Sequence, residues 1–357
     1  MLKAKHNTES QGRKVKPNKE EIVRLRQHAE EIKVSQEAQN ALEDEYAKML
    51  WRVPNIVHAS TPEGENETGN KVIRQFPPPS GEVSPLGGGP AKEHWELGPV
   101  LGILDFEKAA QVSGSRFAYI KGKAVLLQFA IIKFAFDTLI NEKTLAQIAK
   151  RAKLKVNTKP FIPVVPPVLM KPEVMHKMAR LEPREERYHI EKDNLYLVGS
   201  AEHTLGPLHM NEVLSEEDLP LRYVGYSTCF RREAGTYGKD TKGIMRVHQF
   251  DKVEMESFTT PEQGIAEQDF LIAIQEHFMA ELGLPYQVVQ KCVGDMGAPD
   301  FREFDVEAWM PGQGKYRETH TADYMTDYQA RRLNIKYRPL GHSERSEESR
   351  ATQEERD

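Results

Sequence analysis

A length of 357 residues corresponds to roughly two domains of about 150 residues each. Hydrophobic residues at 39% supply one substantial core, while 29% charged residues add well-solvated helical surface. The formal charge of −5 excludes a uniformly basic nucleic-acid coat but leaves room for local cationic patches that meet RNA.

The first long element is expected over residues 19–53, which lack both Pro and Gly. Ile22, Leu25, Ala29 and Ile32 follow a coiled-coil seam that continues through Gln36, Gln39, Glu43, Tyr46 and Leu50, so its middle is polar. Such a helix spans about 50 Å at 1.5 Å per residue. It reads either as a surface helix or as one limb of a projecting antiparallel hairpin. Residues 1–16 are too short to supply an equal second limb.

Pro54 ends this helix, and Pro62, Gly64, Gly69, the prolines at 77–79 and the glycines at 87–89 mark a connector. A globular domain begins near His94. An apolar helical pattern covers 124–152, and within it residues 129–140 form the longest apolar stretch. Lys133 and Asp137 interrupt that stretch, whose length suits a buried helix, so no membrane span is expected. Residues 161–170 are β-rich until Pro166 and Pro167. Short strands are expected at 195–198, 222–230, 249–257 and 304–310, with one helix at 261–282. Strands clustered around a few helices define an antiparallel α+β domain, and no GxGxxG or GxxxxGK[ST] loop is present. Beyond Arg338 the chain turns almost wholly to Ser, Glu, Arg and small polar residues, the composition of a disordered tail. The expected domains are therefore 1–75, a helical arm with its linker; 76–340, a catalytic domain; and 341–357, the tail. Cys229 and Cys292 have no nearby partner, which argues against a disulfide framework or a zinc ribbon and for a reducing cytoplasm.

Residues 228–258, TCFRREAGTYGKDTKGIMRVHQFDKVEMESF, carry the densest chemistry. They read as a strand, a charged Gly-rich loop and a second strand. Arg231, Arg232, Lys239, Lys242 and Arg246 lie on or beside the loop, with Glu233 and Glu254 near its bases. Guanidinium groups held on paired strands suit polyphosphate, because Arg makes bidentate contacts and stays charged. From charge alone, a solvated hairpin with ordinary ion pairs is the better explanation, and the exact residue string is what overturns it.

The string itself resembles motif 2 of class II aminoacyl-tRNA synthetases in its seryl form. Residues 94–122 (HWELGPVLGILDFEKAAQVSGSRFAYIKG) resemble that family's entry to the catalytic domain. The helix at 124–139 followed by FIPVVPPVLM resembles motif 1, with Pro166 or Pro167 as its proline. LYLVGSAEHTLGPLH at 195–209 resembles the segment that holds the amino acid, with Ser200 where Thr is usual. The stretch through YRETHTADYMTDYQARR resembles the last conserved strands.

The resemblance implies a class II antiparallel sheet flanked by helices, preceded by a partial helical coiled-coil arm. It implies a serine–tRNA ligase that uses ATP and Mg2+, acts on L-serine and tRNA(Ser), works in the cytoplasm and forms a homodimer through motif 1, with no membrane or DNA partner. By position, Arg231 would grip the α-phosphate, Glu233 would read the adenine amino group, Phe250 would stack on adenine, and Arg232 and Arg246 would lie near the nucleotide. Ser200, Ala201, Glu202, Arg231 and Glu254 would surround serine, with Arg231, Glu233 and Glu254 as the catalytic set. Glu318, Thr319, His320 and Thr321 would complete the ATP site, and Glu318 with Thr321 would meet the metal. His209, His248 and His320 are expected to be structural or orienting, because serine's own carboxylate attacks phosphorus without a general base.

In the family, QARRLNIKYR leads into motif 3, with a second ATP-binding arginine and, just before it, a serine-binding hydroxyl. Here the polar tail follows instead, so a marginal fold and poor or absent activity are expected, with a non-catalytic nucleotide- or RNA-binding or dimerising protein as the alternative. An amino-acid:carrier-protein ligase is a third reading, disfavoured by the partial arm and by the lack of a convincing metal-ligand cluster.

Overall fold

The computed structural model describes residues 19–76, 91–233 and 242–340. The first residues, the Pro/Gly stretch at 77–90, the loop containing Lys239 and the polar tail lie outside the described residues. Two compact units are present, 1–54 and 55–357.

In the first unit, α1 (Lys19–Leu50) is a single helix. Its seam residues Leu25 and Ile32 are exposed. The absence of helix breakers, with abundant Ala, Glu, Lys and Gln, is enough to account for its length.

The second unit starts with the expected connector, which is structured: β1 (Lys71–Phe76) pairs with a strand more than 200 residues later. Then follow α2 (His94–Val100), β2 (Leu104–Asp105), α3 (Phe106–Ser113), β3 (Tyr119–Ile120), α4 (Lys123–Leu139) and α5 (Glu142–Arg151). The apolar helical pattern expected over 124–152 is carried by two helices bent by 81°, the first ending at Leu139. Asn141 causes the break, since its side chain accepts from the Thr144 amide (3.2 Å) and starts α5 as an N-cap. Nor is α4 buried as its apolar composition suggests. Leu126 is 70% and Leu127 61% exposed, with Phe129 and Ile131 exposed beside them. No single described helix is long and apolar enough to cross a membrane.

Short elements lead to the central hairpin: β4 (Ile162–Val164), β5 (Leu169–Met170), α6 (Pro172–Lys177), β6 (His189–Ile190), β7 (Leu195–Leu197), α7 (Glu202–Leu205) and β8 (Val213–Ser215). The hairpin is β9 (Leu221–Phe230) with β10 (Gln249–Phe258), antiparallel from Phe230↔Gln249 to Leu221↔Phe258. After α8 (Gly264–Glu281) come β11 (Tyr286–Gln290), β12 (Arg302–Met310), β13 (Lys315–Tyr324), α9 (Tyr328–Leu333) and β14 (Lys336–Arg338). The main strands form two groups, β1-β11-β12-β13 and β10-β9-β4. The first is antiparallel throughout, whereas β4 joins β9 in parallel.

One helix serves both groups. Phe270 and Ile274 of α8 enter a cluster with Leu139, Leu145, Phe161 and Val224. Ile272 and Met279 enter another with Val288, Phe304 and Val306. Polar residues on α8 are buried as well. Glu267 meets Arg222 of β9 (2.5 Å), and Ser257 of β10 donates to it (2.7 Å). The Arg222 guanidinium also donates to the carbonyls of Lys159 and Asn157. With Arg222 only 1% exposed, removing one partner strands a charge in the interior. Glu267→Ala is therefore expected to cost about 3–5 kcal/mol of folding free energy, read as a lower midpoint in urea. A loss under about 1 kcal/mol would show that the pair is not an anchor.

Candidate active site

Strand alternation turns Phe250, Lys252, Glu254 and Glu256 of β10 to one face. All four line a cleft that also takes in residues of α8, β13 and α9. Gly225 lies opposite Glu254 in the hairpin. A Cβ there would sit 2.6 Å from Leu205 Cδ1, so the bare backbone lets α7 lie directly on the hairpin. That approach brings the start of α7 to β10: Ser200 Oγ donates to Glu254 Oε2 (2.5 Å). Lys252 Nζ stands 3.3 Å from the same carboxylate oxygen and 3.4 Å from Ser200 Oγ. Burial opposes the Lys252 charge, but Glu254 and Glu202 more than offset it and raise the ammonium's pKa.

Glu202 is held from two other elements. Arg180, in the loop after α6, contacts it at 2.9 Å through Nη2 and 3.0 Å through Nε, and Gln329 of α9 donates to it at 3.1 Å. Burial alone would raise its pKa, yet Arg180, aided by His203 and Gln329, pulls it down to about 2. His203 itself is pushed down to about 3, chiefly by burial, and its Nδ1 accepts the Gly199 amide. Glu256 is driven well upward by burial and then by Glu202 and Glu254. Ala201, between Ser200 and Glu202, is fully buried.

At the end of β9, Arg231 Nε donates to the Gly199 carbonyl (3.2 Å), and its guanidinium lies over the Phe250 ring (5.3 Å). The expected adenine platform thus already meets a cation on one side. Glu233 has a left-handed backbone (φ 53°) and pairs with Arg246. Arg232 meets the Tyr188 ring instead (6.0 Å). The expected orienting histidines have mundane partners. His248 donates from Nδ1 to the Arg231 carbonyl (3.0 Å), and His209 bonds Glu212 and the Tyr223 hydroxyl.

Across the cleft, a bulge between Val306 and Glu307 shifts the register so that Glu307 faces Glu318 and Asp305 faces Thr321. Since residues 305 and 307 share a face of β12, the bulge keeps Glu318 and Thr321 on one face of β13. Thr321 Oγ1 donates to Asp323 Oδ1 (3.1 Å). Thr319 bonds the Val306 carbonyl and His320 Nδ1, and burial takes His320 down to about 4. Among the described residues no three His, Cys, Asp or Glu side chains converge into a closed metal shell. The hard oxygens of Glu318 and Thr321 nevertheless suit Mg2+, which keeps its waters and takes one or two carboxylates with substrate phosphates. Buried acceptors without a hydrogen-bond partner, Glu303 Oε2 and Asp305 Oδ1, lie on the same face of β12.

Arg180, Lys252, Glu256, Asp323 and Gln329 were not anticipated from the sequence. Lys252 and Glu256 are legible in the alternation of KVEME around Glu254. Arg180 and Gln329 carry no local signal, because each finds its partner only after folding.

A hairpin bearing cationic groups, beside a cleft lined on its far wall by hard-oxygen donors, defines a class II aminoacyl-tRNA synthetase core. Residues 186–349 match the family "tRNA synthetase class II core domain (G, H, P, S and T)". Curated relatives include serine–tRNA ligases of Acidothermus cellulolyticus, 41% identical over 89% of this chain and 70% of the relative, and of Pyrococcus horikoshii, 42% identical over 88% and 70%. Among solved structures, the P. horikoshii seryl-tRNA synthetase complexed with ATP superposes with a TM-score of 0.79, at 40% identity over 90% of this chain and 71% of that one. The Naegleria fowleri cytoplasmic serine–tRNA ligase in complex with AMP gives a TM-score of 0.76 at 34% identity, over 87% of this chain and 70% of that one. The chain belongs to the serine–tRNA ligase family and spans about 70% of the length of these relatives.

Near this site, burial and then the carboxylates of Asp323 and Glu303 push Asp300 up to about 9. Its unfolded value is near 3.8, so between those limits the folded chain keeps a proton that the unfolded chain has released. Stability falls as pH rises across that window. Asp300→Asn is expected to raise the melting temperature, with a larger gain near about pH 8 than near about pH 5. Equal gains at both pH values would contradict a protonated Asp300.

Proposed function

We propose that this protein activates L-serine with ATP to seryl-adenylate and transfers the seryl group to tRNA(Ser). What supports the reading most is the closeness of two charge pairs, Glu254–Lys252 with Ser200 and Glu202–Arg180, to Arg231, which bonds the Gly199 carbonyl and lies over Phe250. An amino acid needs a carboxylate for its ammonium and acceptors for its hydroxyl, and a nucleotide needs a cation and an aromatic face.

In this reading Glu202 takes the α-ammonium, and Ser200 and Glu254, with the Ala201 backbone between Ser200 and Glu202, close around the hydroxyl side of serine. Arg231 steadies the α-phosphate and the attacking carboxylate, Phe250 receives adenine, Glu233 reads its amino group, and Arg232 and Arg246 lie toward the nucleotide. Glu318, Thr319, His320 and Thr321 form the opposite wall of the ATP site. Glu318 and Thr321 would hold Mg2+, which neutralises phosphate charge when bound. The serine carboxylate oxygen attacks the α-phosphorus and pyrophosphate leaves, so the residues contribute position and charge rather than proton transfer. The exposed apolar row of α4 is the proposed homodimer face, and the cytoplasm is the proposed compartment.

Serine-dependent ATP–pyrophosphate exchange tests the reading, with threonine and alanine as controls. Exchange confined to serine is the expected result. Glu254→Ala should lower kcat/KM for serine by about 10- to 100-fold, the worth of a hydrogen bond to a charged group. Folded protein without exchange would instead leave a nucleotide- or RNA-binding role. Sedimentation at micromolar concentration should give a dimer, and Leu127→Glu should shift it toward monomer; a wild-type monomer would remove the α4 interface.

A further inference from the structure

The two oxygens of Glu202 are treated unequally. Oε1 accepts from Arg180 Nε (3.0 Å) and Gln329 Nε2 (3.1 Å) and lies 2.9 Å from Arg180 Nη2 as an ion pair. Oε2 has one long contact, 3.3 Å from Arg180 Nε. Both Glu202 and Gln329 line the cleft, while the Arg180 side chain is only 17% exposed.

The placement of Arg180 is fixed from several sides. Ala179, just before it, has φ 56°, a left-handed conformation unfavourable for a residue with a Cβ. The Arg180 amide donates to the Met175 carbonyl (3.0 Å), and its own carbonyl accepts Arg187 Nε (2.8 Å). Beyond Glu202, Arg180 Nη2 stands 3.9 Å from Asp323 Oδ2. The guanidinium thus sits between two carboxylates, which makes it a poor receptor for a substrate anion.

We propose that Arg180, assisted by Gln329, is the positioning residue of the amino-acid site: it saturates Oε1 of Glu202 and thereby presents Oε2 to the substrate's α-ammonium. This rests on the serine-activating reading above. A carboxylate free to rotate would share its charge among several orientations, whereas one oxygen tied by two hydrogen bonds and an ion pair leaves the other with a single direction. The arrangement separates two jobs that one carboxylate cannot do unaided, remaining ionised in a buried place and staying available to a ligand.

The test uses two non-hydrolysable seryl-adenylate analogues, one with the α-amino group and one in which hydrogen replaces it. Affinities are measured by calorimetry on the full chain. Wild type should prefer the amino-bearing analogue. Arg180→Gln should weaken that analogue by about 10- to 100-fold and leave the desamino analogue within about twofold, because the lost contact involves only the ammonium. Arg180→Lys, which keeps a cation and a donor, should recover part of the loss, and Gln329→Leu should show a smaller loss of the same selectivity. Equal weakening of both analogues would reveal a purely structural Arg180 and overturn the proposal, as would no weakening of either. A wild type indifferent to the amino group would overturn it while keeping the adenylate site. A wild type that binds neither analogue would sink the serine-activating reading itself.

Discussion

The buried contact between Arg222 and Glu267 is the constraint on which the remaining geometry depends. It ties β9, the backbone at residues 157–159, Ser257 of β10 and α8 into one unit. Ion pairs of this kind add little net stability over a well-packed apolar alternative, since desolvation offsets most of their attraction. Their directionality is what matters here. A guanidinium with donors aimed at two carbonyls and a carboxylate admits one arrangement, whereas Leu or Phe at the same place would admit several.

From α8 the constraint passes to the other wall of the cleft. Gln268 donates to the carbonyls of Arg302 and Ala322 (both 2.7 Å), and Gln275 donates to that of Thr321 (2.7 Å). Arg302 answers through Gln268 and Asp269. The walls bearing Glu254 and Thr321 belong to separate strand groups with no ladder between them among the described residues. Their spacing is set by amide and guanidinium side chains of fixed length on a shared helix. Charges on those walls are therefore held in position before any ligand arrives, the condition under which electrostatic stabilisation is most effective.

Much of this was legible in the sequence, and what escaped has physical reasons. The hairpin at 228–258 could be placed from its residue string, and alternation then assigns the facing side chains. Apolar periodicity runs straight through Asn141, so the end of α4 at Leu139 was legible from the motif 1 resemblance and not from the pattern, and the capping bond of Asn141 gives its physical cause. The exposed face of α4 escaped because composition gives how apolar a helix is, not how much of it is covered. β1 was taken for part of a connector because prolines and glycines surround it, while its pairing partner lies far along the chain. Arg180 and Gln329 are separated from Glu202 by 22 and 127 residues, so no local pattern could associate them.

The segment after Pro54 shows how a long-range strap can serve the same site. Asn55 donates through its side chain to the carbonyls of Pro299 and Met325, and its amide bonds the Ala298 carbonyl. The His58 amide bonds the Phe301 carbonyl, and the Phe301 amide bonds the carbonyl of Tyr324. His58, Phe301 and Tyr324 then meet edge to face in succession. These contacts close over the end of β13, immediately beyond Asp323, where a strand terminus would otherwise fray. Asp323 is also the second carboxylate beside Arg180. A displacement at the strap would move that carboxylate relative to the guanidinium and change how much of the cation is shared with Glu202. The charge balance around Glu202 is thus tied to contacts made by residues 55–58, outside the elements that line the cleft.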